Sequence, residues 1–143
     1  MFFLGQGCGG KSLFLSLTQL CIECYFFKLD SKSFSIDDRQ KQDKILNSYM
    51  HEPQYRISWI NEPKDTKMDI SLFKTFCDGT INTVSLYKDG SNAFKHYSKL
   101  IGTSNTMPNI QIDTGSERRI SGLTCESHFT DDPNEVNKKS ISI

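Results

Sequence analysis

Eight residues near the start of the chain, Gly5-Gln6-Gly7-Cys8-Gly9-Gly10-Lys11-Ser12, fit the pattern G-x-x-x-x-G-K-[ST] and constrain the fold more than any other stretch. Glycines permit a tight loop whose backbone N–H groups converge on phosphate oxygens, and a helix starting at the lysine adds the partial positive charge of its amino terminus. The flanking sequence supplies that setting. Phe2-Phe3-Leu4 is an apolar strand candidate ahead of the loop. From Lys11 to about Cys24, the apolar Leu13, Leu17, Leu20 and Cys24 recur at three- and four-residue spacing, which predicts an amphipathic helix buried along that stripe. Strand, glycine loop and helix in this order predict an α/β domain that binds a nucleoside triphosphate. The residues Gly5, Gln6, Gly7, Cys8, Gly9, Gly10, Lys11 and Ser12 would line the phosphates. Lys11 would bridge the β- and γ-phosphates, and the Ser12 hydroxyl would be a ligand for Mg²⁺, an ion that takes few protein ligands beside phosphate and water.

With 143 residues there is material for one domain. No apolar run approaches the roughly 20 residues of a membrane span, so no transmembrane helix is expected. The apolar opening ends at Gly5, far short of the about 7–15 residues of a secretory core, and the five cysteines are an odd number. Both features predict reduced thiols and an intracellular protein. Lysine plus arginine equals aspartate plus glutamate at 17 each, so no global positive field holds nucleic acid, and any DNA contact must be local. Because the loop motif begins at Gly5, the chain reads as a core truncated at its amino terminus, with residues 1–136 forming the core and 137–143 a polar tail.

Phosphate loops serve kinases, GTPases and motor ATPases alike, so the class depends on the rest of the chain. A GTPase would carry an Asp-x-x-Gly switch and an Asn-Lys-x-Asp base reader, and neither string occurs. The patterning predicts strands over Tyr25 to Leu29, Tyr55 to Ile60 and Lys99 to Thr103. The second of these stops at Asn61-Glu62-Pro63, because proline cannot continue a central ladder. A polar stretch from Asp37 to Asp43 runs into a helix ending near Tyr49, and Ser71 to Phe76 is a second helix. Ile81 to Tyr97 is a polar hairpin turning near Asp89-Gly90, and the residues from Asp131 onward are irregular.

In this order the features resemble the superfamily 3 helicases, most closely the primase–helicases of poxvirus type and of related phages, over roughly residues 2 to 136. Arg56-Ile57-Ser58-Trp59-Ile60-Asn61-Glu62-Pro63 is similar to the family's acidic strand end. Cys77-Asp78-Gly79-Thr80-Ile81 through Leu86-Tyr87-Lys88 is similar to its turn and aromatic-Tyr-Lys segment. Lys99-Leu100-Ile101-Gly102-Thr103-Ser104-Asn105 matches a strand ending in a polar sensor, and Arg118-Arg119-Ile120 an arginine pair. His128-Phe129-Thr130-Asp131-Asp132-Pro133-Asn134-Glu135 is similar to the closing stretch. The resemblance implies an AAA+-like P-loop NTPase, a mainly parallel sheet flanked by helices with a β-hairpin insertion.

It also implies roles. Glu62 would polarise the attacking water and help hold Mg²⁺, while Asn105 would sense the γ-phosphate. Arg118 or Arg119 would reach the neighbouring subunit's ATP as an arginine finger, which implies a ring, a hexamer by family analogy. Tyr87 and Lys88, with Lys95 or His96, would grip single-stranded DNA. The implied activity is ATP-driven translocation on DNA at a site of viral-type replication. Two departures stand out: Asn61 where many such ATPases carry an acid, and Glu117 where a tryptophan commonly precedes the arginines. A truncated or non-hydrolysing nucleotide-binding paralogue and a small P-loop kinase stay open as alternatives. Cys21-x-x-Cys24 and Cys125-x-x-His128 have zinc-ligand spacing, but the first pair falls within the predicted helix, where cysteine is expected to be a small buried hydrophobe. Cys8, beside a helix amino terminus, is a candidate for oxidation.

Overall fold

Residues 1–36, 55–63, 67–84 and 91–130 are described by the computed structural model, without the side chains of 81–84 and 91–94. The predicted hairpin turn, the helix ending near Tyr49 and the tail all lie outside these residues, as do Tyr87 and Lys88.

Runs of apolar residues without alternation mark strands covered on both faces, and those runs form the centre of the sheet. β1 (Phe2–Leu4), β2 (Phe26–Leu29), β3 (Ile57–Asn61), β6 (Lys99–Ser104) and β7 (Gly122–Thr124) pair in parallel in the order β2-β3-β6-β1-β7. β4 (Thr80–Val84) and β5 (Ser91–Lys95) form a separate antiparallel hairpin, inserted between α2 (Ile70–Cys77) and β6. The chain thus has the expected α/β architecture of P-loop type, a wholly parallel sheet flanked by helices.

One face of the sheet, built from Phe2, Leu29, Ile60 and Leu100, packs against Phe34, Phe73, Phe76 and Ile110. Edge-to-face contacts lock this cluster, with the Phe34 ring centroid 5.5 Å from that of Phe76 and 6.2 Å from that of Phe73. Gly102 of β6 admits the Phe2 ring, since a Cβ there would lie 2.2 Å from it. α2 begins on a strong signal, the Asp69 side chain accepting from the N–H groups of Ser71 and Leu72 at 2.9 and 3.0 Å. The opposite face packs Phe3, Phe26 and Trp59 on Leu15 of α1 (Lys11–Ile22).

The burial expected along α1 is inverted. Leu13, Leu17 and Leu20 are 62, 54 and 72% exposed, whereas Leu15 is fully buried. The buried and half-buried positions are Lys11, Leu15, Thr18 and Ile22, themselves spaced by four, three and four residues. The phase is set at the helix start, where Lys11 turns in toward the glycine loop; positions one helical period further on then face the sheet. Cys21 and Cys24 are likewise exposed and not buried hydrophobes. No cluster of metal-ligating side chains assembles among the described residues.

α3 (Thr114–Glu117) and β7 went unread in the sequence. α3 is a single turn held by a capping box, in which Asp113 accepts from the Ser116 N–H and the Ser116 hydroxyl accepts from the Asp113 N–H. Asp113 also pairs with Lys74 of α2. Arg119 forks onto Asp78 at 2.8 and 2.9 Å, so two ion pairs tie the segment around α3 to α2. The Lys74 contact, with the Ser116 bonds, holds the Asp113 carboxyl far below the usual carboxylate range, and the Arg119 guanidinium lowers that of Asp78. A depressed folded-state value means that the unfolded chain binds more protons, so this stability is present above the ordinary carboxylate value of about 3.8 and is lost as pH falls below it. Urea unfolding at pH 7 and pH 3 is expected to show that loss. In a variant carrying Asp78→Asn and Asp113→Asn the difference between the two pH values should shrink.

Candidate active site

All five strands run the same way, so their carboxyl ends share one edge, and loops leaving that edge form the natural binding crevice of an open α/β sheet. The glycine loop leaves β1 there. Gly5 has φ +147°, and a Cβ on it would lie 2.4 Å from the Cys125 carbonyl oxygen, which lies just beyond β7. Gly10, at φ +71°, packs so closely on the Phe129 ring that a Cβ would be 2.8 Å from it. Cys8 takes φ +59°, a conformation that costs a residue with a side chain roughly 1–2 kcal/mol. The segment after β7 frames the loop: Cys125 N–H donates to the Leu4 carbonyl at 2.6 Å and Phe129 N–H to the Cys8 carbonyl at 2.9 Å.

Lys11 closes the loop on itself, its Nζ donating to the carbonyls of Gly5 at 2.6 Å and Gln6 at 2.8 Å. At the same point α1 starts with no side-chain cap and no acid in its first turn. The first N–H groups of a helix lack intrahelical acceptors, so this amino terminus is open to an anion. Gln6, Gly7, Cys8 and Ser12 are exposed around it.

Register brings the other candidates to this edge. Asn61 pairs with Thr103 and Leu4 with Ser104, so Glu62, Asn105 and Gly5 each begin the loop just beyond these pairs. Two strand spacings, about 10 Å, separate the backbones near Glu62 and Gly5, with the β6 end between them. Glu62 donates its N–H to the Thr103 carbonyl at 2.8 Å, takes φ +44° and is exposed, as is Asn105. Beneath them runs a relay that the sequence did not reveal. Trp59 Nε1–H donates to Thr103 Oγ1 at 2.9 Å, and that hydroxyl donates to Asn61 Oδ1 at 2.8 Å. Trp59 and Asn61 are two residues apart on one strand face, which is the signal that would have suggested it.

The arginines do not join this group. Arg118 and Arg119 precede β7, whose first residue pairs with Phe2 at the amino-terminal end of β1, so they lie at the opposite edge. Arg119 is occupied by Asp78 and by the Gly115 carbonyl, while Arg118 is exposed. His96 is 3% exposed and stacks on Phe76 with ring centroids 4.4 Å apart, and burial lowers its basicity. It packs the hairpin base against Phe76. Lys95 is exposed.

Solved structures share this fold. The A form apo structures of the NrS-1 C-terminal region match with TM-scores of 0.55 and 0.59, at 20 and 18% identity. The matches cover 87 and 92% of this chain but only 28 and 29% of those chains, so the chain spans under a third of their length. No family model and no curated protein sequence matches it. The likeness is one of fold. Among the described residues no helix is long and apolar enough to cross a membrane.

Proposed function

We propose that the chain is the ATP-hydrolysing core of a DNA helicase of superfamily 3 type, acting in viral-type replication as a ring on single-stranded DNA. The observation that carries this reading is the convergence of Lys11, Glu62 and Asn105 on one sheet edge. The fold shared with the NrS-1 C-terminal region supports an α/β core of this kind. On this reading Lys11 exchanges its two carbonyl acceptors for β- and γ-phosphate oxygens as ATP enters, and the loop amides hold the remaining oxygens. The donor set fits Mg²⁺, since the Ser12 hydroxyl and the Glu62 carboxylate are few and oxygen-based; the ion would neutralise charge on the phosphates. Glu62 polarises the attacking water, and Asn105 on the intervening strand end reports the γ-phosphate. Arg119 being engaged within its own chain, the finger for a neighbour's ATP falls to Arg118. Tyr87 and Lys88, between β4 and β5 in the sequence, take the DNA.

A nucleotide-binding unit without turnover is the second reading, and Asn61 favours it, because an amide stands where an acid would help hold the ion. ATP hydrolysis measured with and without single-stranded DNA separates the two. Turnover stimulated by DNA is the expected result, nucleotide binding without turnover supports the second reading, and transfer of phosphate to a small molecule would overturn both in favour of a kinase.

A further inference from the structure

At the edge of the sheet away from the glycine loop, the amino-terminal ends of β3 and β6 bring Arg56 and Lys99 side by side, with Lys99 N–H donating to the Arg56 carbonyl at 2.8 Å. Tyr97, 70% exposed, stands next to them, and the Arg56 guanidinium lies 5.6 Å from its ring centroid. Lys95, at the end of the hairpin, is exposed on the same side. Lys95, Tyr97 and Lys99 border a cavity of about 410 Å³ between the hairpin base and the end of α2. The one carboxylate among the residues bordering it, Asp78, is already held bidentate by Arg119 and offers no counter-charge to the lysines.

Isolated surface lysines are ordinary solvated charges. Here an exposed aromatic ring has a guanidinium near its face and an exposed lysine two residues to either side, in a chain whose charges as a whole sum to zero. A guanidinium on the Tyr97 ring restrains it by cation–π attraction and leaves most of its surface open. A restrained aromatic face bordered by cations is the chemistry that takes an unpaired base and its flanking phosphates, because every base has a π-face and every linkage a charge.

We propose that this patch is a binding surface for single-stranded nucleic acid, with a base stacked on Tyr97 and the backbone held by Arg56, Lys95 and Lys99. It rests on the reading that the chain acts on DNA, but it lies roughly 20 Å, the length of β6, from the glycine loop, so the two are separable by experiment. Binding to the patch needs no nucleotide.

The test is fluorescence anisotropy of a labelled oligodeoxythymidine with the whole chain in the absence of ATP, over a salt series. Three phosphate contacts on a single strand give a slope of log affinity against log salt of about −2. Tyr97→Ala is expected to weaken binding roughly tenfold with little change in slope, and Tyr97→Phe to restore it. Lys95→Gln with Lys99→Gln is expected to flatten the slope by about 1.4, the share of two contacts. Lys11→Ala should bind the oligonucleotide as the parent does, while Tyr97→Ala should bind a fluorescent ATP analogue normally, which also reports that it is folded. Unchanged affinity in both the tyrosine and lysine variants overturns the proposal, as does equal affinity for a duplex of the same length. Absence of oligonucleotide binding with a change in oligomeric mass on Tyr97→Ala also overturns it and assigns the patch to contact between copies. Oligonucleotide binding without ATP turnover would sink the helicase reading and leave this surface standing.

Discussion

Glu62→Gln is expected to lower kcat for ATP hydrolysis by about 10²–10⁴-fold, the range associated with loss of a positioned general base, while ATP still binds. The substitution keeps side-chain size and removes only the charge that draws a proton from water. Backbone position should survive it, because the Glu62 N–H is tied to the Thr103 carbonyl and the relay from Trp59 through Thr103 to Asn61 sits below it, neither involving the carboxylate. Single-turnover hydrolysis with titrated nucleotide affinity separates chemistry from binding. Normal hydrolysis in Glu62→Gln ends its assignment as the water-polarising group. A parallel loss of affinity and rate would show that holding the metal outweighs water polarisation in what the carboxylate does.

Legibility in the sequence followed how local the determining physics is. The glycine loop was legible because its requirements are met within eight residues, and the φ values and close approaches at Gly5 and Gly10 bear out the need for residues without a Cβ. The bounds of β3, α2 and β6 were near those expected, since apolar runs are local signals. The face of α1 was misread because its own pattern carries two candidate stripes, and the choice between them is made by Lys11 and the sheet, not by helix periodicity. β7 was invisible for a related reason: Gly122, Leu123 and Thr124 are all exposed at the edge of the sheet and carry no alternation to detect. The arginine pair was equally opaque, since nothing in Glu117-Arg118-Arg119 distinguishes the residue that Asp78 captures, forty-one positions away, from the one left exposed.

The mispredicted face has a consequence for the site. A helix whose rotation is fixed by a lysine reaching into the loop couples loop geometry to helix packing, so Lys11 carries two roles. Lys11→Ala is accordingly expected to remove measurable ATP binding and also to cost the nucleotide-free protein stability. Two hydrogen bonds from a charged donor are lost, and each such bond is worth about 1.5–3 kcal/mol when well shielded. Lys11 is only half-buried and the freed Gln6 carbonyl can turn to water, so a net loss of about 1 kcal/mol is the expected size. Calorimetry with ATP and urea unfolding without it measure the two effects separately. Lys11→Met, which retains the stem that follows the loop but not the ammonium, should lose ATP as fully as the alanine variant does. If Lys11→Met instead binds ATP with near-parental affinity, the lysine serves only to close the loop, and the phosphate-bridging role that the whole nucleotide site depends on is wrong.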